Sequence, residues 1–374
     1  MPRRATKIPG PLLLIVSALV LITAFPVGLG PAFCARHDLA AIELPPGFSI
    51  RMHAAVPGAR SLALGSKGTI FVGTRDPGKV YAVTGNAPEQ VVVRVIASGL
   101  TEPNGVAFRD GDLYVAAVDR ILRFRDIENR LENPPAPEEI PVKLPSDRHH
   151  GWKYIAFGPD GKLYVPVGAP CNACRRDPPY ATLQRFDPAT GRLELYARGI
   201  RNTVGFDWHP DTGELWFTEN GRDWLGDDEP PDSLNRAPVP GLDFGYPFCN
   251  AGQPDPQFGQ DADCSRHAPN AARIQAHSAP LGMKFYTGDM FPKSYRNRIF
   301  IAEHGSWNRS VPVGYRISVA TPNADGTARY EPFATGWLQG RSAWGRPVDV
   351  LVMPDGALLV SDDRAGLLYR IAYE

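Results

Sequence analysis

The sequence lacks an excess charge of either sign, has few cysteines, and carries none of the short motifs that mark several common catalytic folds. Lys plus Arg and Asp plus Glu both number 40 in 374 residues, so the formal net charge is zero. A nucleic-acid binder needs a basic footprint, and that partner class is set aside. No GxGxxG follows a strand, and P-loop, HExxH and GxSxG patterns are absent, so nicotinamide, nucleotide and serine-hydrolase readings have no support. Of five cysteines, Cys171 and Cys174 form a CxxC, but Arg175 stands where a c-type haem needs histidine. No βαβ pattern surrounds that CxxC, which favours a loop staple over a redox motif. Long helices are not expected.

What is present points to many short strands. Apolar residues make up 43% of the chain, while 37 Gly and 38 Pro are spread along it as turns. At the N-terminus, Arg3, Arg4 and Lys7 precede an uncharged apolar run, Leu12 to Phe25, with small residues from Gly28 to Ala35. Residues 1–35 therefore read as a signal peptide or N-terminal anchor. Pro26, Gly28, Gly30 and Pro31 break the run and favour the cleaved form. Residues 36–374 are then one domain, periplasmic or secreted, with a membrane contact only if the segment is retained. Export permits disulfides. The four remaining cysteines allow three connectivities, of which Cys171–Cys174 with Cys249–Cys264 is the simplest.

One unit recurs: an apolar strand, a turn on Gly, Pro or Asp, then a second apolar strand. Copies fall at 61–72, 105–115, 154–165, 205–217, 282–301 and 349–360. Asp-Gly and Pro-Asp-Gly turns between alternating apolar runs signal hairpins. Further strands at 80–83, 121–124 and 368–371 extend them. Such units cannot cover both faces alone, and radial packing solves this. The fold class is all-β, a six-bladed β-propeller, with two separate sandwiches as the alternative. The strand at 48–53 has no hairpin partner and is expected to close the ring. The longest stretches between strands, 218–276 and 307–348, read as walls of a site.

Several separated strings carry a family resemblance: Pro103-Asn-Gly105, His149-His-Gly-Trp152, Gly199-Ile-Arg-Asn202, Glu219-Asn-Gly221, 277–283, 303–309 and Arg346-Pro-Val-Asp349. Together they resemble the soluble glucose/sorbosone dehydrogenases that depend on pyrroloquinoline quinone (PQQ), especially the L-sorbosone-dehydrogenase-like branch. The resemblance implies a six-bladed propeller that oxidises a sugar or sugar aldehyde and passes electrons to an external acceptor. It implies His150 as the catalytic base, with His149 as competitor, because a neutral imidazole suits proton removal. Arg201 and Asn202 would hold the quinone carbonyl as charge develops.

Arg309 and Arg346 would clamp cofactor carboxylates. A second arginine of the glucose-oxidising branch is replaced by Val348, and the cofactor lysine has no match, which leaves His304 or Arg309 to substitute. Asn104 aligns loosely with an active-site contact. Calcium would lie on the carbonyls of Gly221 and Arg222 beside Glu219, and Asp228 in the acidic triplet 227–229 is a candidate for a second ion. Two rival readings remain: a calcium-dependent lactonase recruiting Glu219, Asn220 and Asp349, and a binding propeller without chemistry.

Overall fold

Along each inner strand the side chains alternate between two neighbouring cores, which is why these strands read as continuous apolar runs. In Leu215–Glu219, Leu215 and Phe217 pack with Tyr196 and Phe206, whereas Trp216 packs on the opposite side with Phe285 and Ile301. In Ile70–Thr74, Ile70 and Val72 join one core and Phe71 the next. A sheet buried on both faces needs a neighbour on each side, and a closed ring of sheets supplies it. Slipping such a strand by one residue would exchange its two sets of side chains, so the register is strongly specified.

The computed structural model describes Met1 and residues 38–374. The expected signal or anchor and Cys34 lie outside the described residues. Among those described, six sheets of four or five strands succeed one another along the chain. Blade 1 is Ala59–Leu64, Ile70–Thr74, Val80–Thr84 and Val92–Ala97, and blade 2 is Gly105–Arg109, Asp112–Ala116, Ile121–Phe124 and Glu138–Glu139. Blade 3 holds Ala156–Phe157, Leu163–Val167, Thr182–Phe186 and Leu193–Arg198, edged by Leu242–Asp243 in parallel. Blade 4 is Phe206–Trp208, Leu215–Glu219, Asp232–Ala237 and Asn270–Ile274, and blade 5 is Pro280–Phe285, Ile299–Glu303, Arg316–Pro322 and Ala328–Ala334. Blade 6 takes Pro347–Val352, Leu358–Asp362 and Leu367–Tyr373 from the C-terminus. Its last strand is Phe48–Ala55, paired antiparallel with Leu367–Tyr373 from Phe48 opposite Tyr373. The ring is closed by the strand expected to close it.

All six hairpins read from the sequence are the inner strand pairs of blades. At Asp110 and Gly111 both φ angles are positive, 52° and 86°, the geometry of a tight two-residue hairpin loop. Inner strands also approach closely across blades. A Cβ on Gly205 would lie 2.0 Å from the Leu281 carbonyl oxygen, and one on Gly282 2.0 Å from Asp349 Oδ1, so neither tolerates a side chain.

The stretches 218–276 and 307–348 are not wholly loops. They contain the third and fourth strands of blades 4 and 5. Asp232–Ala237 escapes a reading by hydrophobicity because Asp232, Ser233 and Asn235 are buried yet polar. The parts flanking these strands do line the cavity described next. The cysteines pair as Cys171–Cys174 and Cys249–Cys264, the local connectivity.

Candidate functional site

Segments that lead into the inner strands of several blades meet around a cavity of about 310 Å³. Blade 1 contributes Arg60 and Arg75, the approach to blade 3 contributes His150 and Trp152, and the link between blades 3 and 4 contributes Arg201 and Asn202. Asn220, Gly221, Asp223 and Asp232 come from blade 4, His277, Ala279 and His304 to Asn308 from blade 5, and Arg346 from the entry to blade 6. Backbone strain gathers here. His150, His277, Ala279 and Tyr315 line the cavity with φ of 51°, 65°, 53° and 54°, a region that costs a non-glycine residue roughly 1 kcal/mol or more.

His150 is held in one tautomer. Its Nδ1 lies 2.8 Å from the Ala169 carbonyl, which only accepts, so Nδ1 carries the proton and Nε2 the lone pair. Burial first, then the Arg201 guanidinium, drives its pKa well below the usual imidazole value. The ring is therefore neutral at pH 7. His149 stacks obliquely on it at 4.2 Å but does not line the cavity.

Beside blades 1 and 6 lies a surplus of positive charge. Asp363, behind the wall, accepts from Arg60 Nη1 at 2.6 Å, Arg346 Nε at 3.0 Å and His304 Nε2 at 3.0 Å. Burial pushes the Asp363 carboxyl up, but His304, Arg60 and Arg346 outweigh it and hold it far below the usual range. Burial keeps His304 below its ordinary value despite Asp363. Two guanidinium groups thus share one carboxylate. Arg75 adds a third guanidinium, 4.3 Å above the Trp152 ring, but its Nε faces the Glu102 and Asp76 carboxylates, each at 3.7 Å, which offset its charge. Arg75 Nε, Trp152 Nε1 and Asn308 Oδ1 are buried without a hydrogen bond, although Arg75 Nε stands in ion-pair range of Glu102 and Asp76. All three belong to cavity-lining residues, where polar groups of a bound ligand would complete their hydrogen bonds.

Arg201 is the opposite case. Its Nε donates to the Asn172 carbonyl, Nη1 to the carbonyls of Asn220 and Gly221, and Nη2 to Asn172 Oδ1 and Asp223 Oδ2. A guanidinium has five N–H donors, and the protein uses them all. With every donor taken, Arg201 contributes charge and organises the wall, and the expected donation to a quinone carbonyl would require it to exchange one of these bonds. Asn202 lines the cavity beside it, its own carbonyl held by Asn220.

Other expected residues divide. Of the two candidates for the missing lysine, His304 lines the cavity. Arg309 does not: it binds the Asp227 carbonyl and Asp228 across two loops. Asn104 lies one layer deeper, accepting from Arg60 Nε at 2.6 Å and donating to the Lys153 carbonyl at 2.7 Å. The calcium expectation does not fit this arrangement. The Gly221 carbonyl already faces the Arg201 guanidinium, which repels a cation. Asp228 is 86% exposed on Arg309, and Glu219 accepts from the Arg201 backbone N–H. Glu219 and Asp349 both lie off the cavity, so the three groups recruited for a lactonase do not converge.

Arg60 and Arg75, which line the cavity, and Asp363, which pairs with Arg60 behind it, are residues the sequence reading missed. The available signal was an arginine inside the otherwise small and apolar strand Ala59–Leu64.

A family model described as TrAA12-like matches residues 184–374, just over half of the chain. The chain belongs to the TrAA12-like family. An uncharacterised protein of Borreliella burgdorferi is 32% identical to this TrAA12-like chain over 367 residues, covering 91% of it and 93% of the relative. A pyrroloquinoline quinone-dependent pyranose dehydrogenase of Coprinopsis cinerea is 28% identical over 188 residues, 44% of this chain but only 22% of that enzyme. Among solved structures, the iodide form of the Trichoderma reesei family AA12 carbohydrate-active enzyme superposes with TM-score 0.76 at 20% identity, over 89% of this chain and 98% of that one. The holo PQQ domain of the Coprinopsis cinerea pyranose dehydrogenase gives 0.73 at 18%, over 88% and 97%. At such identities the structures speak to fold, and both agree with the propeller. None of these names the sorbosone branch.

Proposed function

We propose that this TrAA12-like protein is an exported, PQQ-dependent oxidoreductase acting on an aldose or a sugar-derived aldehyde, sorbosone included. One observation carries the reading: a neutral imidazole with a fixed free Nε2 shares a cavity with two guanidinium groups, Arg60 and Arg346, that share the single Asp363 carboxylate. A polyanionic quinone satisfies that imbalance, and the names of the pyranose dehydrogenase relatives support the choice.

Arg60 and Arg346 would hold the carboxylates, with Arg75 beside them, while Trp152 offers an indole N–H and a flat apolar edge. Asn202 would supply an amide to a carbonyl in place of Arg201. When bound, PQQ supplies the acceptor for a hydride. The protein's own part is to orient the sugar C–H, exclude water, and take the hydroxyl proton on His150 Nε2. Because the His150 pKa lies low, the base stays competent as pH falls through the usual imidazole range. Electrons then leave to an external acceptor.

The test mixes purified mature protein with PQQ, with and without calcium, and follows dye reduction on aldoses and sorbosone beside lactone hydrolysis. Quinone-dependent dye reduction is expected, falling about 10²–10⁴-fold in His150→Ala. Lactone hydrolysis without quinone would overturn the reading, and full activity in His150→Ala would move the base elsewhere, with His149 first to examine.

A further inference from the structure

Two large aromatic side chains at the rim of the cavity stand in water. Trp224 is 67% and Trp307 69% exposed, and their rings meet edge to face at 5.1 Å and 86°. Single exposed apolar residues are ordinary, whereas two in contact beside a cavity form a patch that calls for a partner. Leaving indole faces in water forgoes the free energy that burying their apolar area would give. Trp224 is also held at φ 71°, a strained backbone for a bulky residue.

The loops that carry the pair are laced together. Asp223 Oδ1 accepts from Asn308 Nδ2 at 2.8 Å, and Asp227 takes both the N–H and the hydroxyl of Ser310. Arg309 binds the Asp227 carbonyl and the Asp228 carboxylate, and the Gly226 carbonyl lies 2.9 Å from His277 Nε2. The tryptophans therefore sit on a preformed platform. Trp307 belongs to both rim and cavity, so the platform is continuous with the site. Its neighbour Asn308 keeps a buried, unpaired Oδ1 at the junction, an acceptor suited to a hydroxyl.

A surface with flat apolar faces, set beside unpaired hydrogen-bonding groups, matches a pyranose ring, whose faces are C–H and whose rim is hydroxyl. Two indole planes at right angles make a corner that takes successive, rotated sugar units. We propose that Trp224 and Trp307 form an outer carbohydrate subsite, and that the substrate class is the end of an oligosaccharide rather than a free monosaccharide. This rests on the sugar-oxidising reading above and adds what lies beyond the reacting ring. Arg309, expected from the sequence to clamp a cofactor, acquires a role here in bracing the platform.

Titrate the full mature protein, without quinone, with β-1,4- and α-1,4-linked glucose oligomers of one to five units, following tryptophan fluorescence and calorimetry. In the wild type, affinity is expected to rise about tenfold or more from one to three units in one of the two series. Trp224→Ala should bind glucose as the wild type does and lose the gain with length, and Trp307→Ala should lose the gain as well. Trp224→Phe should recover part of it, which a folding defect would not allow. Length-independent affinity in both series, or an unchanged gain in Trp224→Ala, would overturn the proposal and leave the rim to a protein partner. Because the titration needs no quinone, it is independent of the dye-reduction assay above: a tryptophan-dependent gain here with no quinone-dependent dye reduction there would keep this subsite while the oxidoreductase reading fails. Dye reduction without a gain would do the reverse.

Discussion

The cavity has two walls built from the same residue type in opposite states. On the side of blades 3 and 4, Arg201 is buried and every one of its donors is used by the chain. On the side of blades 1 and 6, Arg60 and Arg346 share Asp363, and Arg75 Nε makes no hydrogen bond, only the longer ion pairs with Glu102 and Asp76. The first wall is complete without a ligand and acts as scaffold. The second is incomplete and is where an anion gains most. Proximity to a cavity does not make an arginine a ligand-binding residue; the balance of its hydrogen bonds decides.

The strongest way to break the comparison is Arg201→Ala. It leaves Asp223, two carbonyls and Asn172 without their partner in a buried setting, and should cost about 3–5 kcal/mol in chemical denaturation. Arg201→Lys should not restore it, because an ammonium lacks the planar fork. A small effect would make Arg201 a ligand-facing group after all.

The next effect concerns the acids behind that wall. Burial pushes Glu219 and Asp232 up to about 7, against the opposing pull of Arg201. A raised carboxyl pKa means the unfolded chain releases the proton first, so stability falls as pH climbs from about 4.5 to 7. Glu219→Gln keeps the acceptor for the Arg201 N–H and removes one titration. Relative to the wild type, it should gain on the order of 2 kcal/mol between pH 5 and pH 8, read from denaturant midpoints. A constant difference across that range would contradict the buried neutral acid.

Much of this was legible beforehand. Six hairpins and the closing strand follow from turn chemistry and alternation, the disulfides take the simplest of three connectivities left open, and His150, Asn202, His304 and Arg346, named through the family resemblance, line one cavity. The missing pieces depend on tertiary partners. Asn172, which saturates Arg201, lies 29 residues before it in a disulfide loop. Asp363 follows a strand and reads as a turn acid, although Arg60 reaches it across a sequence separation of 303. Such saturation and sharing have no local pattern to betray them.

The smallest effect on stability sharpens the other wall. Arg346 is 37% exposed, so Arg346→Ala should change folding stability by less than about 1 kcal/mol. It should nonetheless weaken quinone binding about tenfold, and the loss should shrink at high salt. Stability loss without affinity loss would assign Arg346 to scaffold as well.

The most direct trial of the central claim is an absorbance titration of the mature wild-type protein with PQQ at low salt, repeated on Arg346→Ala. Saturable one-to-one binding, weakened in the variant while thermal stability holds, is the expected result. Absence of saturable binding, or identical affinity in both proteins, would contradict a quinone held by the unsaturated wall.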